Sequence, residues 1–518
     1  MNSINPIIAM DYPDPDVIRV DDTYYMVSTT MYFMPGCEIL RSYDLVHWEH
    51  AAYVYDKLDS TPAQRMAGKD NIYGQGMWAA SLRYHNGTFY ICFVANDTHK
   101  TYLYTASSIG GPWKKSEIEG FYHDNSILFD DDGRVYIVYG NKEVYITELN
   151  EELTGPKEGG LHRMIVKDSD DVYLGYEGSH FYKINGTYYL FMIHIPKSTG
   201  KRTESCFYAS SLTDDFVGLD VMDDDRNFRR SGVAQGGIVD TPKGNWYAIL
   251  FQDSGAVGRI PVLMPVSWSN DTPSIPIFGN KGVIPEEFEI ENNRPGYNYA
   301  PLYGDDDFKD ELATYWQFNH EPDMSLIRHD RGAGTLRITT GKVATNLVQA
   351  QNTLTQRCHF PYSKAAVTID ASGLKDGDYA GLCILQSNYS FVGVTRKNAG
   401  LYLVLAGHTV VTPGIMGERK DDTPALELFR TKIDSPVVTL FAETKFDDQR
   451  TSEPVHAGKS SDRAFFGYDA GNGETMIQPS TSLYFKLDHF TGARFGLFTF
   501  STLKQGGYAD FSDFKYFA

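Results

Sequence analysis

Between Val17 and Tyr247 the chain repeats one local pattern five times: a short apolar strand, a tight polar turn, and a second strand led by aromatics. The copies close at Tyr25, Tyr90, Tyr136, Tyr189 and Tyr247, and their turns are mostly Asn-Gly or Asp-Gly, as in Asn86-Gly87, Asp132-Gly133 and Asn185-Gly186. Such pairs between alternating strands are the strongest short-range signal for a β-hairpin, because both turn positions need φ > 0. Twelve residues upstream of the last four closing tyrosines stand Trp78, Asp124, Glu177 and Gln235. The first copy is one residue shorter, which makes Asp14 its counterpart. Repeats that radiate from an axis bring equivalent positions together at that axis. The pattern therefore predicts a pocket built from Asp14, Trp78, Asp124, Glu177 and Gln235.

The closing tyrosines are 65, 46, 53 and 58 residues apart, room for a four-stranded blade of about 40–50 residues plus loops. Third strands are expected at 36–42, 102–107 and 206–211, with the turns at 44–48 and 111–113 closing their blades. A five-bladed β-propeller accounts for hairpin, upstream hub residue and downstream strand together, which a meandering sandwich does not. After Pro285 the texture changes: 285–296 is charged and rich in breakers, a linker or a strap. Beyond it, apolar runs at 365–370, 389–394, 401–405 and 437–442 lack the blade signature and read as a β-sandwich. The expected organisation is all-β, with a propeller over 1–300 and a sandwich over 301–518.

Composition agrees with a β fold. Of 518 residues 14% are aromatic, with 35 Tyr and 30 Phe, and long helical periodicity is absent. A formal net charge of -20 argues against nucleic acid or an anionic membrane surface as partner, since both repel the chain at long range, whereas a neutral sugar is not repelled. Five widely spaced cysteines, an odd number without a Cys-x-x-Cys pair, read as reduced core residues or minor surface thiols rather than a disulfide framework. With no signal-peptide pattern at the start and no apolar stretch of membrane-spanning length, the expected compartment is the cytoplasm.

Three acids at one hub carry the chemistry. Each alone is ordinary: Asp14 suits a turn and Asp124 a strand start, though Glu177 opening an apolar inner strand is harder to dismiss. Together in a low-dielectric centre they repel, so at least one keeps its proton near neutrality. A protonated acid facing an ionised one is what cleavage of a glycosidic bond requires. Trp78 offers a flat apolar face to a sugar ring, and Arg259, just after the last hub strand, suits substrate hydroxyls and moderates the acids' charge. Trp78, Gln235, Arg259 and Phe33 form the candidate substrate-binding set.

The segments 13–19, 76–84, 124–129, 177–182 and 236–242 resemble glycoside hydrolase family 43, and they span essentially the whole first domain. The resemblance implies a five-bladed propeller enzyme working with inversion, in which Asp14 is the general base, Glu177 the general acid, and Asp124 the residue that orients the acid and tunes it. The C-terminal region resembles the accessory sandwich of β-xylosidase-like and arabinofuranosidase-like members, which closes one side of the pocket. The expected activity is exo-acting release of a terminal pentose from xylan-derived oligosaccharides: β-D-xylose first, with α-L-arabinofuranose as the alternative or a coexisting sugar. A retaining fructosidase-like enzyme would begin with Asn-Asp-Pro-Asn-Gly, which 12–16 lacks, and a non-catalytic sugar-binding propeller would have no use for three axial acids. Many members carry a calcium-binding histidine near the hub, but Gln235 and Ser254 occupy the matching positions, so no catalytic metal is assigned. A structural calcium in the sandwich is entertained at Asp305, Asp306 and Asp307 with Asp510 or Asp513.

Overall fold

A computed structural model describes residues 4–409, 423–448 and 461–518. Residues up to Phe278 form five four-stranded antiparallel sheets arranged as propeller blades. Blade I runs from Asp16 to Tyr55, blade II from Met77 to Ile118, blade III from Ser126 to Lys167, blade IV from Val172 to Met222 and blade V from Val233 to Phe278. All five hairpins read from the sequence are the first two strands of a blade, as in Asp16–Val20 with Thr23–Ser28 and Val233–Asp240 with Trp246–Asp253. The turn at 44–48 leads into a fourth strand, Glu49–Tyr55, instead of ending its blade, and Lys114–Ile118 follows 111–113 in the same way. These outer strands were hard to read because their polar faces meet solvent; Lys114–Ile118 is largely exposed.

Each inner strand has an edge whose N–H groups need partners, and neighbouring blades supply them by a relay of side chains. Leu82 N–H donates to Asp16 Oδ2 (2.7 Å), Ile127 N–H to Ser81 Oγ (3.1 Å), Phe181 N–H to Ser126 Oγ (2.9 Å) and Ile238 N–H to the Tyr182 hydroxyl (3.1 Å). The ring closes where Arg19 of blade I pairs with Asp240 of blade V (2.6 Å) and Asn5 clasps both backbone groups of Leu263 (2.7 and 2.8 Å). Asp16 also receives Arg83 Nη1 (2.7 Å) and His180 Nδ1 (3.1 Å), so one carboxylate ties blades I, II and IV. Burial works against its charge, but Arg83 and His180 outweigh that and hold it below the ordinary aspartate range.

Segment 285–300 is a strap. It crosses back over blade I, with Arg294 on Asp22 (2.7 Å), Asn293 N–H on Tyr43 O (2.8 Å) and the Tyr297 hydroxyl on Glu49 (2.6 Å). Among the described residues, the rest of the chain builds two packed antiparallel sheets, one of seven strands and one of eight, the eighth strand being lent by blade I. The strands Tyr362–Asp370, Ser390–Lys397, Gly400–Gly407 and Val437–Lys445 cover the four apolar runs. The two domains are fused: Phe33–Met34, from blade I, pairs with Gln317–Asn319 and becomes the edge strand of the eight-stranded sheet. Buried ion pairs join them too, Arg357 to Glu38 (2.8 Å) and Arg229 to Asp462 (2.8 Å). All five cysteines are buried and unpaired. No helix among the described residues is long and apolar enough to cross a membrane.

Replacing Asp16 by Asn leaves Arg83 and His180 buried without their counter-charge. The expected loss is about 3–5 kcal/mol, measured as a fall in the denaturation midpoint. Because the folded carboxyl titrates below its unfolded value, this contribution is present above the unfolded value and fades as pH falls through the folded one. A loss under about 1 kcal/mol, the worth of one ordinary hydrogen bond, would show that the hub is held by other contacts.

Candidate active site

At the hub the backbone kinks left-handed at equivalent places: Asp14 (φ 53°), Asp124 (φ 48°) and Gln235 (φ 67°). In blades II and IV glycines beside the hub residue take the kink, Gly76 (φ 84°) and Gly178 (φ 66°), and the hairpin register shifts after Trp78 and after Glu177. Such bulges re-aim a side chain at the end of a strand, and aspartate tolerates this region better than most residues. Gly178 has a second reason to be glycine, since a Cβ there would come within 2.6 Å of the Gln235 side chain.

The structure brings Asp14, Asp124, Glu177, Trp78 and Arg259 to this centre. Arg259 Nη1 donates to Asp14 Oδ1 (2.9 Å), and both residues are buried. The donor atoms of His123, Asp124 and Glu177 all lie within 4.8 Å of one another, with His123 Nε2 at 3.3 Å from Glu177 Oε2 and 3.8 Å from Asp124 Oδ1. Asp124 accepts Gly178 N–H on Oδ2 (3.1 Å), which ties blade III to blade IV beside the glutamate. Burial, reinforced by the charges of Glu177 and Asp14 and opposed by that of His123, pushes the Asp124 carboxyl up to about 7. Burial would lower His123, but Asp124, Glu177 and Asp14 outweigh it and lift the imidazole to about 9. Two acids and one imidazolium thus hold a proton in reserve at neutral pH.

Gln235 packs its side chain on Gly178, next to Glu177, and its backbone N–H donates to the buried Glu204 (2.8 Å). Phe33 is elsewhere. Its ring is 1% exposed under the Arg494 guanidinium (3.6 Å), because the sandwich sheet recruits its strand; it joins the domains instead of meeting a ligand. The aspartates considered for a sandwich calcium are also already engaged. Asp510 pairs with Arg337 (2.7 Å), Asp307 with Lys309 (3.0 Å), Asp513 and Asp305 with Lys515, and Asp306 accepts Trp316 Nε1 (2.8 Å). Among the described residues, the one group with metal-like spacing is His123, Asp124 and Glu177.

Several site residues escaped the sequence reading. Phe490 comes from the sandwich, with its ring 5.3 Å from Trp78 and 4.4 Å from the Arg259 guanidinium. Asp11 positions this loop: one oxygen accepts Gly492 N–H (2.8 Å), the other Arg259 N–H (2.8 Å). Gly492 permits the approach, because a Cβ there would meet Val257 O at 2.0 Å. Arg202, paired with Asp253 (2.5 Å), adds a cation whose charge is held up by Asp253, Glu177 and Asp14 after burial is overcome. The hub-position count could not find these residues, since none occupies the repeat's slot.

Sequence comparison bears on this geometry. The model of glycosyl hydrolases family 43 matches residues 3–273, and that of the β-xylosidase C-terminal concanavalin A-like domain matches 305–517. The chain belongs to glycosyl hydrolases family 43. Members of family 43 hydrolyse glycosidic bonds with inversion, and their chemistry needs no cofactor. A β-xylosidase of Formosa agariphila is 26% identical over 99% of this chain and 90% of its own. A non-reducing-end α-L-arabinofuranosidase of Bacteroides ovatus is 28% identical over 64% of each. A solved structure described as a bifunctional GH43-CE protein of Bacteroides eggerthii superposes with a TM-score of 0.88 at 38% identity, covering 100% of this chain and 63% of that longer one.

The electrostatic arrangement can be tested directly. The His123 imidazole is expected to titrate near pH 9, and at lower pH in Asp124→Asn, because Asp124 contributes most to raising it. Histidine-labelled NMR reads this; a midpoint below 7 in the parent chain, or none of this change in the variant, would refute the charge balance.

Proposed function

We propose that the chain is an exo-acting pentosidase that removes terminal β-D-xylose from xylan-derived oligosaccharides, with α-L-arabinofuranose as a second sugar of the same pocket. The observation that carries this reading is Phe490, a sandwich residue standing against Trp78 and Arg259 at the hub. A pocket walled by both domains suits the end of a chain better than its middle, and the two aromatic faces suit a sugar ring. The names of the relatives, one a β-xylosidase and the other an arabinofuranosidase, support both sugars.

In this scheme Asp14 is the general base. The Arg259 guanidinium donates to Asp14 Oδ1 and holds that carboxylate in place for a water. Glu177 protonates the glycosidic oxygen while that water attacks the anomeric carbon from the opposite face and gives its proton to Asp14. Asp124 holds the backbone beside Glu177 through Gly178 N–H and keeps a second carboxyl close enough to retain a shared proton. Five buried, unpaired thiols support a cytoplasmic setting, in which short oligosaccharides would be the substrate.

The 4-nitrophenyl β-D-xyloside and α-L-arabinofuranoside should both be hydrolysed, the xyloside faster, with inversion at the anomeric carbon seen by proton NMR. Activity on neither would defeat the proposal, and a retained anomer would defeat the roles given to Asp14 and Glu177. Glu177→Gln should lower kcat on unactivated oligosaccharides by about 10²–10⁴-fold without changing the thermal midpoint. Since the sandwich aspartates are paired with cations, chelation is expected to leave both activity and Tm unchanged; a fall in Tm would restore the structural calcium.

A further inference from the structure

Glu177 belongs to blade IV, but the groups that hold it come from blade III. His123 Nε2 lies 3.3 Å from Glu177 Oε2, and Asn141 Nδ2 donates to the same oxygen. Among the described residues, both hydrogen bonds to this carboxyl therefore fall on Oε2. The two donors are linked through the backbone: Gly140 N–H, one residue before Asn141, donates to His123 O (3.0 Å), which ties the segment before the first strand of blade III to the end of its second strand. Asn141 donates through its amide N–H, and His123 donates whenever Nε2 carries a hydrogen, as it does in the imidazolium.

Resting on the pentosidase reading above, we propose that His123 and Asn141 are positioning residues that clamp Glu177 Oε2 and so reserve Oε1 for the proton delivered to the leaving group. Two donors aimed at Oε2 leave no room for a hydrogen on that oxygen, because an O–H would face an N–H. The neutral acid accordingly carries its proton on Oε1. In the reaction the Oε1–H bond breaks and that proton bonds to the glycosidic oxygen. The C1–O electron pair passes to that oxygen, the water oxygen bonds to C1, and the water proton goes to Asp14. As the proton leaves, negative charge grows on the Glu177 carboxylate, and the clamp strengthens as it grows; the arrangement stabilises the transition state more than the ground state. The charged groups that face His123 are Glu177, Asp124 at 3.8 Å and, at longer range, Asp14. The Trp78 ring, 6.1 Å away, forms the apolar side.

Leaving-group dependence separates this role from a structural one. A 2,4-dinitrophenyl pentoside departs with little help from an acid, whereas the phenyl pentoside needs the proton. In the double variant His123→Leu/Asn141→Leu, kcat on the phenyl substrate should fall about 100-fold, the lower end of what a positioned acid contributes. On the dinitrophenyl substrate kcat should stay within about threefold, and KM on both should be little changed. His123→Gln, which keeps a side-chain N–H donor, should recover most of the loss and also serves if the leucine variants fold poorly. Equal losses on both substrates, or a change confined to KM, would overturn the clamp while the pentosidase reading stood. A parent chain inactive on both pentosides would overturn that reading and the clamp with it.

Discussion

The convergence of five inner strands on one axis is the constraint on which everything else in this molecule depends. Inner strands packed around a centre have edges that must be satisfied without water, and here each of the first four blades presents a side chain to the next blade's backbone N–H. Asp16 begins the relay and, through Arg83 and His180, binds three blades with one charge. Two residues earlier the same run carries Asp14, whose left-handed backbone puts it in the site instead of the core. One short motif thus supplies both the anchor of the ring and the base proposed for the chemistry.

Electrostatics at the mouth follow from that packing. Three carboxylates drawn together in a dry centre would be costly unless cations shared it. Arg259 takes Asp14, and His123 stands between Asp124 and Glu177. The result is an asymmetric site: one acid beside a permanent cation, and two beside a cation that can itself titrate. Such a separation of environments is the general way in which paired carboxylates acquire opposite roles.

The sandwich is part of the same machine. Its edge takes in a strand of blade I, Arg357 reaches Glu38, and the loop carrying Phe490 is fastened to Asp11 only three residues from Asp14. Disturbing the domain contact should therefore be felt at the hub, since a carboxylate that orients the sandwich loop also holds the backbone of Arg259.

What could be read without coordinates was whatever repeats. The hairpins, the count from closing tyrosine to hub residue, and the change of texture after Pro285 depend on local chain stiffness, turn geometry and alternation, which each segment carries by itself. Hence the propeller, the sandwich and the acids Asp14, Asp124 and Glu177 were legible from the residues. Tertiary structure alone decided the pairings between segments far apart in the chain: Phe490 against Trp78, His123 and Asn141 on Glu177, Arg202 near the acids, and the capture of Phe33 by a foreign sheet. It also paired the sandwich aspartates with lysine and arginine, which a run of acidic residues does not foretell. Local preference sets the shape of each piece, but which polar groups meet depends on how whole domains pack. That is settled by burial and charge neutralisation over the entire surface, not by any one stretch of sequence.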